Sequence, residues 1–131
     1  MIGPGIMHLF WKPLLLALLS MAALAACSAP RTVIVQESVQ VGDRQREWAL
    51  VYFLSWRKEH DPRYLELSRR HMSDAVKSYF EIQVTIGHSY PDFYDIDKRR
   101  LQGCDFLRRI DNDADRYGVS LTSRARSGCF N

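Results

Sequence analysis

The chain has 131 residues, of which 47% are hydrophobic and 25% charged, and its formal net charge is +3. This length predicts one small domain with one modest core. The small net charge gives no strong field for nucleic acid, and the mixing of basic and acidic residues along the chain is typical of solvated helix faces.

The N-terminal segment has the features of a secretory signal peptide. Lys12 supplies a positive charge, and residues 14–26 form an uncharged apolar run that ends in small residues. A membrane-spanning helix needs about 20 apolar residues, so this run is short for a stable anchor and favours a cleaved signal at residues 1–26. Both Met1 and Met7 are compatible with the start of the chain.

The run ends in Leu24-Ala25-Ala26-Cys27, which resembles the lipobox of bacterial lipoprotein precursors. The resemblance covers these four residues and the apolar run before them. It implies cleavage before Cys27 and attachment of lipid to that cysteine, where each buried CH₂ contributes about 0.8 kcal/mol to anchoring. Ser28 in place of Asp implies sorting to the outer membrane, with the domain facing the periplasm. The alternatives are an ordinary signal peptide or an uncleaved anchor, with Cys27 incidental.

Residues 27–42 are interpreted as a lipidated N terminus followed by an extended linker. The segment is rich in β-branched residues that partly alternate with polar ones, which is typical of a short strand or of an extended tether: Val33, Ile34, Val35, Val39 and Val41. Residues 28–42 would span about 50 Å if fully extended. A strand that pairs with a partner is the alternative to a tether.

Residues 43–60 are predicted to form the first helix, with Asp43 as its N-cap. Its apolar face is formed by Trp48, Val51, Tyr52 and Trp56. Aromatic residues carry the largest burial energy in the chain, so this face is expected in the core rather than in a ligand site.

Asp61-Pro62 predicts the start of the second helix, because Asp is a favourable N-cap and Pro is favoured at the first helical position. Its apolar stripe repeats at heptad spacing through Leu65, Met72, Tyr79 and Ile86. Residues 80–86 also alternate as a strand would, so the helix is predicted through Phe80 and residues 80–86 stay open between helix and strand. Gly87 is expected to end the element.

Residues 88–95 are predicted to form an apolar loop, and residues 97–117 a third helix. The apolar stripe of this helix contains Leu101, Cys104, Leu107, Ile110, Ala114 and Tyr117. Gly118 is expected at the C′ position. Gly103 lies inside the stripe, where the lack of a side chain would permit close approach of a neighbouring helix.

Cys104 and Cys129 form an even pair in an exported domain, where disulfides persist. A bond between them would close a loop of about 25 residues and stabilise the domain by about 3 kcal/mol. Residues 43–131 are therefore predicted to form an all-α, three-helix bundle-like domain, with a C-terminal tail held by one disulfide. Two free thiols are the alternative.

Residues 111–115, with sequence DNDAD, resemble the start of a calcium loop. The required Gly at the sixth position and Glu at the twelfth are replaced by Arg116 and Thr122, so a solvated acidic helix face is predicted instead. The histidines show no zinc-ligand spacing, and no nucleophile elbow, Walker loop or dinucleotide fingerprint is present. The sequence therefore predicts no metal, no cofactor, no catalytic residue and no small-molecule substrate.

Three arginine doublets lie on the predicted helices: Arg69-Arg70, Arg99-Arg100 and Arg108-Arg109. They are candidate contacts for anionic lipid headgroups or for an acidic partner.

The predicted function is that of a membrane-anchored accessory lipoprotein of the bacterial cell envelope, which acts by protein binding in a secretion, conjugation or pilus assembly. Secretin-chaperoning pilotin lipoproteins are similar in size and export route, although no motif is shared. The alternative is an exclusion or inhibitor lipoprotein that blocks phage, plasmid entry or a hydrolase. Neither is an enzyme, and the predicted partners are the membrane, through lipid on Cys27, and an envelope protein. A hydrolase is the third alternative, and it would need a cleft of converging polar groups that the sequence does not display.

Overall fold

The computed structural model describes residues 31–129, and this part of the chain forms three α-helices. α1 spans Arg31–Glu59, α2 spans Pro62–Ile86 and α3 spans Phe93–Tyr117. The predicted all-α, three-helix fold is confirmed. The signal peptide at residues 1–26 and the lipidation site Cys27 lie outside the described residues. Among the described helices, none is long and apolar enough to cross a membrane.

α1 begins at Arg31, so the prediction of an extended linker is wrong from that residue onward. Val35 and Val39 pack against the main core cluster from successive turns of α1. One turn later, a Cβ placed on Gly42 would lie 2.7 Å from the Tyr79 ring, which shows how closely α1 approaches α2. Burial of this helical stripe outweighs the weak helix propensity of β-branched residues, which alone had indicated a strand.

Asp43 is therefore inside α1 and does not cap it, contrary to the prediction. Its carboxylate accepts a hydrogen bond from the Tyr79 hydroxyl at 2.5 Å, and it forms a salt bridge with Arg99. Burial alone would raise the pKa of Asp43, but the hydrogen bonds from Arg99 and Tyr79 lower it below the usual value. Asp43 thus links α1 to both of the other helices.

α2 begins as predicted, because Asp61 Oδ1 accepts a hydrogen bond from the Arg63 backbone N–H at 3.0 Å. The helix continues to Ile86, which settles residues 80–86 as helix. Gly87 follows with φ of 75°, and its N–H donates to Gln83 O at 3.0 Å. A left-handed backbone angle of this kind favours glycine, so Gly87 ends the helix as expected.

α3 begins at Phe93, earlier than predicted, because Phe93 and Ile96 are buried and form the first turns of its inner face. The predicted apolar loop is correspondingly shorter. A Cβ on Gly103 would lie 2.5 Å from Val76 Cγ2, which confirms the expected close approach of another helix at this glycine. Gly118 ends α3 in the left-handed conformation, with φ of 68°, as predicted.

Two clusters of buried side chains form the core between the helices. The larger includes Met72, Val76, Tyr79, Ile96 and Leu107. The smaller contains Phe53, Trp56, Leu65, Ile110 and Ala114. The Ser68 hydroxyl donates to Ala49 O at 2.7 Å, so α1 and α2 are in close contact between the clusters.

The aromatic face of α1 is only partly in the core, contrary to the prediction. Trp56 is buried, whereas Trp48 and Val51 keep 49% and 51% of their surface exposed. The reason is that the buried side of α1 is set by Ala49, Phe53 and Trp56, which recur at helical spacing and turn the other side of the helix outward.

The predicted disulfide is present between Cys104 and Cys129, whose Cα atoms are 5.6 Å apart. It ties the irregular segment after α3 back to the middle of that helix. Val119 and Leu121 from the same segment pack against the smaller core cluster. The tail is therefore part of the folded domain.

Candidate partner-binding groove

A groove of about 610 Å³ lies between the end of α2 and the beginning of α3. It is lined by Phe80, Gln83, Val84, Gly87, His88, Phe93, Tyr94, Asp97 and Arg100. This set, called the α2–α3 groove, combines an apolar wall with a charged floor.

The wall of the groove consists of apolar side chains that are open to solvent. Val84 and Tyr94 are 69% and 71% exposed, and Phe80 is also partly exposed. Exposed apolar side chains that surround one concavity are a common mark of a binding surface, whereas single scattered ones need no explanation.

The turn between the helices holds this wall in place. The Phe93 ring lies 4.2 Å from the His88 ring, centroid to centroid, and meets the Tyr94 ring edge-on at 5.5 Å. The Phe93 backbone N–H donates to Tyr90 O at 3.0 Å, which fixes the start of α3 on the turn. The Phe93 and Tyr94 rings are therefore held in place by each other, by His88 and by the backbone of the turn.

The charged floor is paired within the chain. Asp97 Oδ1 accepts hydrogen bonds from Gln83 Nε2 at 2.8 Å and from Arg100 Nη2 at 2.9 Å. The hydrogen bond from Gln83 lowers the pKa of Asp97, burial opposes this, and the bond from Arg100 adds to the lowering. Asp97 is thus ionised at neutral pH. Because Asp97 and Arg100 already have partners within the chain, a bound partner would be recognised mainly by the apolar wall.

The acidic run at residues 111–115 was predicted to be a solvated helix face, and this is wrong for two of its members. Asp111 and Asp113 are buried. Asp111 accepts hydrogen bonds from Arg69 Nε at 2.9 Å and from Arg126 Nη2 at 2.7 Å. Burial would raise the pKa of Asp111, but these two bonds lower it.

Asp113 accepts a hydrogen bond from the Trp56 indole N–H at 3.1 Å, and Arg57 Nη1 lies 3.6 Å from the same carboxylate oxygen. The two buried aspartates thus serve the packing of α3 against α1, α2 and the tail. In the part of the chain that the structure describes, no three metal-ligating side chains lie together.

In two of the three arginine doublets, one member is buried. Arg69 and Arg100 are buried and pair with Asp111 and Asp97, so the prediction that they contact lipid or an acidic partner is wrong. Their partners lie on the inner side of α3, where a buried guanidinium requires a carboxylate. Arg70 keeps an exposed side chain.

Within residues 31–129, the histidines are dispersed, and each of His60, His71 and His88 lies against an aromatic ring. His60 is 5.0 Å from the Tyr117 ring and His71 is 5.4 Å from the Tyr52 ring, measured between centroids. His71 Nδ1 also lies 2.6 Å from Gln45 Oε1. His88 lines the α2–α3 groove, whereas His60 and His71 are not among its lining residues.

The sequence contained a signal for the groove that reasoning from periodicity missed. Val84 and Phe80 lie off the heptad stripe that buries α2, so a helix through residues 80–86 must expose them. The exposure of Phe80 and Val84 could not be predicted while residues 80–86 stayed open between helix and strand. Tyr94 falls in the predicted loop, and it lies beside the end of α2 because α3 begins already at Phe93.

Comparison with known proteins adds no relative: no family model, no curated protein and no solved structure matches this chain.

Proposed function

We propose that this chain is the precursor of a lipid-anchored accessory protein of the bacterial cell envelope, which acts by binding another protein through the α2–α3 groove. The observation that carries the proposal is the exposed apolar wall formed by Phe80, Val84 and Tyr94. A secretion, conjugation or pilus assembly is the setting that we propose for it.

The chemistry of the groove favours a protein partner over a small molecule. Small-molecule sites use a few polar groups that converge on the ligand. Here Asp97 and Arg100 bond to each other. Asp97 also accepts a hydrogen bond from Gln83, and Arg100 donates one to Gly128 O. The apolar side chains that remain open suit the apolar face of a partner helix, which binds through side chains at helical spacing.

The start of α1 bears on where the partner would be met. Arg31 is the fourth residue after Cys27, and four residues span at most about 14 Å. With lipid on Cys27, the beginning of α1 stays close to the membrane surface. We therefore propose a partner that is itself located at the membrane.

Photo-crosslinking in the native cell tests the groove. A photoreactive amino acid at Val84 or Tyr94 of the full chain should give a crosslink to one protein, and the crosslink should disappear in Phe80→Asp. Leu101 is the matched control, because it is an exposed apolar residue on α3 that does not line the groove. Crosslinks that are equal at all three sites, or that yield only the monomer, contradict the proposal.

Metabolic labelling with a palmitate analogue tests the anchor. We expect the wild-type chain to be labelled and to stay in the membrane fraction, and Cys27→Ser to lose both properties. The double variant Cys104→Ser/Cys129→Ser should keep the label, which separates lipidation from the disulfide. Labelling of Cys27→Ser rules out lipid at this residue.

Deletion of the gene distinguishes the proposed role from that of an exclusion or inhibitor lipoprotein. Loss of an assembled envelope apparatus supports the accessory role. New susceptibility to phage, plasmid entry or a hydrolase with intact assemblies supports the other.

A further inference from the structure

α1 carries a second apolar surface, on the side turned away from the core and distinct from the α2–α3 groove. Val51 and Leu54 are 51% and 68% exposed, and Trp48 and Leu50 beside them are also exposed. The helix packs on the domain through its opposite side, where Ala49 and Phe53 are buried. This apolar surface is therefore unpartnered within the described chain.

The surface has a regular charge pattern. Its central row contains Glu47, Val51, Leu54 and Lys58, in which successive members are four, three and four residues apart. Residues three and four apart lie on one face of a helix, so this row runs along α1 with an acid at one end and a base at the other. The separations of four, three and four residues have the same order in both directions along the helix.

A palindromic spacing makes the row complementary to an antiparallel copy of itself. In that arrangement Val51 lies opposite Leu54 of a second copy, and Glu47 lies opposite Lys58. A parallel arrangement would place Glu47 against Glu47 and Lys58 against Lys58, which is repulsive. An antiparallel pair related by a twofold axis uses the same patch on both chains, as in most homodimers.

The charges at the two ends of the row are available for such a contact. In the part of the chain that the structure describes, neither Glu47 nor Lys58 has an ion-pair partner. Arg57, next to Lys58, already pairs with Asp113 at 3.6 Å.

We propose that the outer row of α1 is the contact surface of a homodimer, in which the C-terminal halves of two α1 helices pack antiparallel. The row extends about 17 Å along the helix axis. A row of this length buries less surface than the roughly 800 Å² per partner of a standard interface. We therefore expect a weak dimer, whose population rises with protein concentration. The contact uses no residue that lines the α2–α3 groove, and it does not depend on the proposed function of that groove.

Cysteine crosslinking between two tagged full-length chains in the same cells tests the arrangement. Val51→Cys in one chain and Leu54→Cys in the other should form an intermolecular disulfide on mild oxidation. Leu101→Cys in both chains is the control, because Leu101 is exposed on α3 and outside the row. A crosslink no stronger than this control overturns the proposal.

Charge reversal tests the register within the same assay. Chains that all carry Glu47→Lys should lose the crosslink at least tenfold, since each contact then pairs two lysines, and chains that all carry Lys58→Glu should lose it likewise. Mixing one chain of each kind restores opposite charges at both ends and should restore the crosslink. Helix content by circular dichroism checks that each variant is folded. A crosslink that ignores these charges overturns the antiparallel register.

Discussion

Arg69 donates its Nε–H to Asp111 Oδ1 at 2.9 Å, and the two side chains keep only 4% and 5% of their surface exposed. Arg126 bonds to the other oxygen of Asp111, and Arg69 Nη1 also donates to Ala125 O at 3.3 Å. One buried carboxylate thus joins α2, α3 and the tail.

Replacing Arg69 with methionine should destabilise the domain by about 3 kcal/mol, because the buried Asp111 loses one of its two arginine partners and keeps only the more exposed Arg126. Urea unfolding followed by circular dichroism measures this change. Arg70→Met is the matched control, since Arg70 is exposed and adjacent, and it should change the stability by no more than about 0.5 kcal/mol. Equal effects of the two substitutions would show that the buried pair is not important for stability.

Stability should fall in acid because the folded state lowers the pKa of Asp111, as well as those of Asp97 and Asp43. The folded chain therefore binds protons less readily than the unfolded chain. The stabilisation is complete above the unfolded value of about 3.9 and is lost as the pH falls through the lower, folded value. Thermal unfolding between neutral and strongly acid pH measures this loss.

Asp111→Asn provides the comparison for the acid effect. This variant should be less stable than the wild type at neutral pH, and the difference in melting temperature should shrink as the pH falls. Asp97 and Asp43 keep a residual pH dependence in the variant. A difference that stays constant down to strongly acid pH would contradict the lowered pKa of Asp111.

Gly103→Ala should destabilise the domain by about 1–3 kcal/mol, through overpacking against α2. The added Cβ would lie 2.5 Å from Val76 Cγ2, a clash that exceeds the gain of about 1 kcal/mol in helix propensity. Denaturant unfolding measures the change. The double variant Gly103→Ala/Val76→Ala should lose less stability than the sum of the losses in the two single variants, because the methyl group that clashes is gone.

Removing the disulfide in Cys104→Ser/Cys129→Ser should cost about 3 kcal/mol, if loop entropy in the unfolded chain is the main term. Trypsin should then cut faster after Arg124 and Arg126, because the tail opens more often. Cleavage within α2 at Arg70 serves as the internal control. Unchanged cleavage in the tail would show that its packing holds it without the disulfide.

Helical periodicity predicted the fold because burial follows it in α2 and α3. The stripe from Leu65 to Tyr79 is buried, and so are the members of the predicted α3 stripe from Cys104 to Ala114. Leu101 and Tyr117, at the two ends of that predicted stripe, are exposed, contrary to the prediction. At Val35 and Val39 the prediction relied on β propensity instead, which indicated an extended chain. It was wrong because packing against the core makes these residues helical. A local propensity is outweighed there by a contact that a single sequence does not reveal.

The buried polar contacts could not be predicted for a related reason. Asp111 lies 42 positions from Arg69 along the chain, and Asp113 lies 57 positions from Trp56. Nothing local distinguishes such a carboxylate from one on a solvated face. The α2–α3 groove, although its residues are close in sequence, depends on how the turn after Gly87 places α3 beside the end of α2, and the pattern of residues 80–95 does not specify this.

Two backbone carbonyls on the tail accept hydrogen bonds from buried guanidinium groups. Ala125 O accepts from Arg69, and Gly128 O, directly before Cys129, accepts from Arg100. Until the thiols of Cys104 and Cys129 are oxidised, no covalent link holds those acceptors in place. The covalent fixing of these acceptors therefore depends on the redox state of the surroundings, and we expect a chain with free thiols to hold its tail less firmly against the two buried arginines.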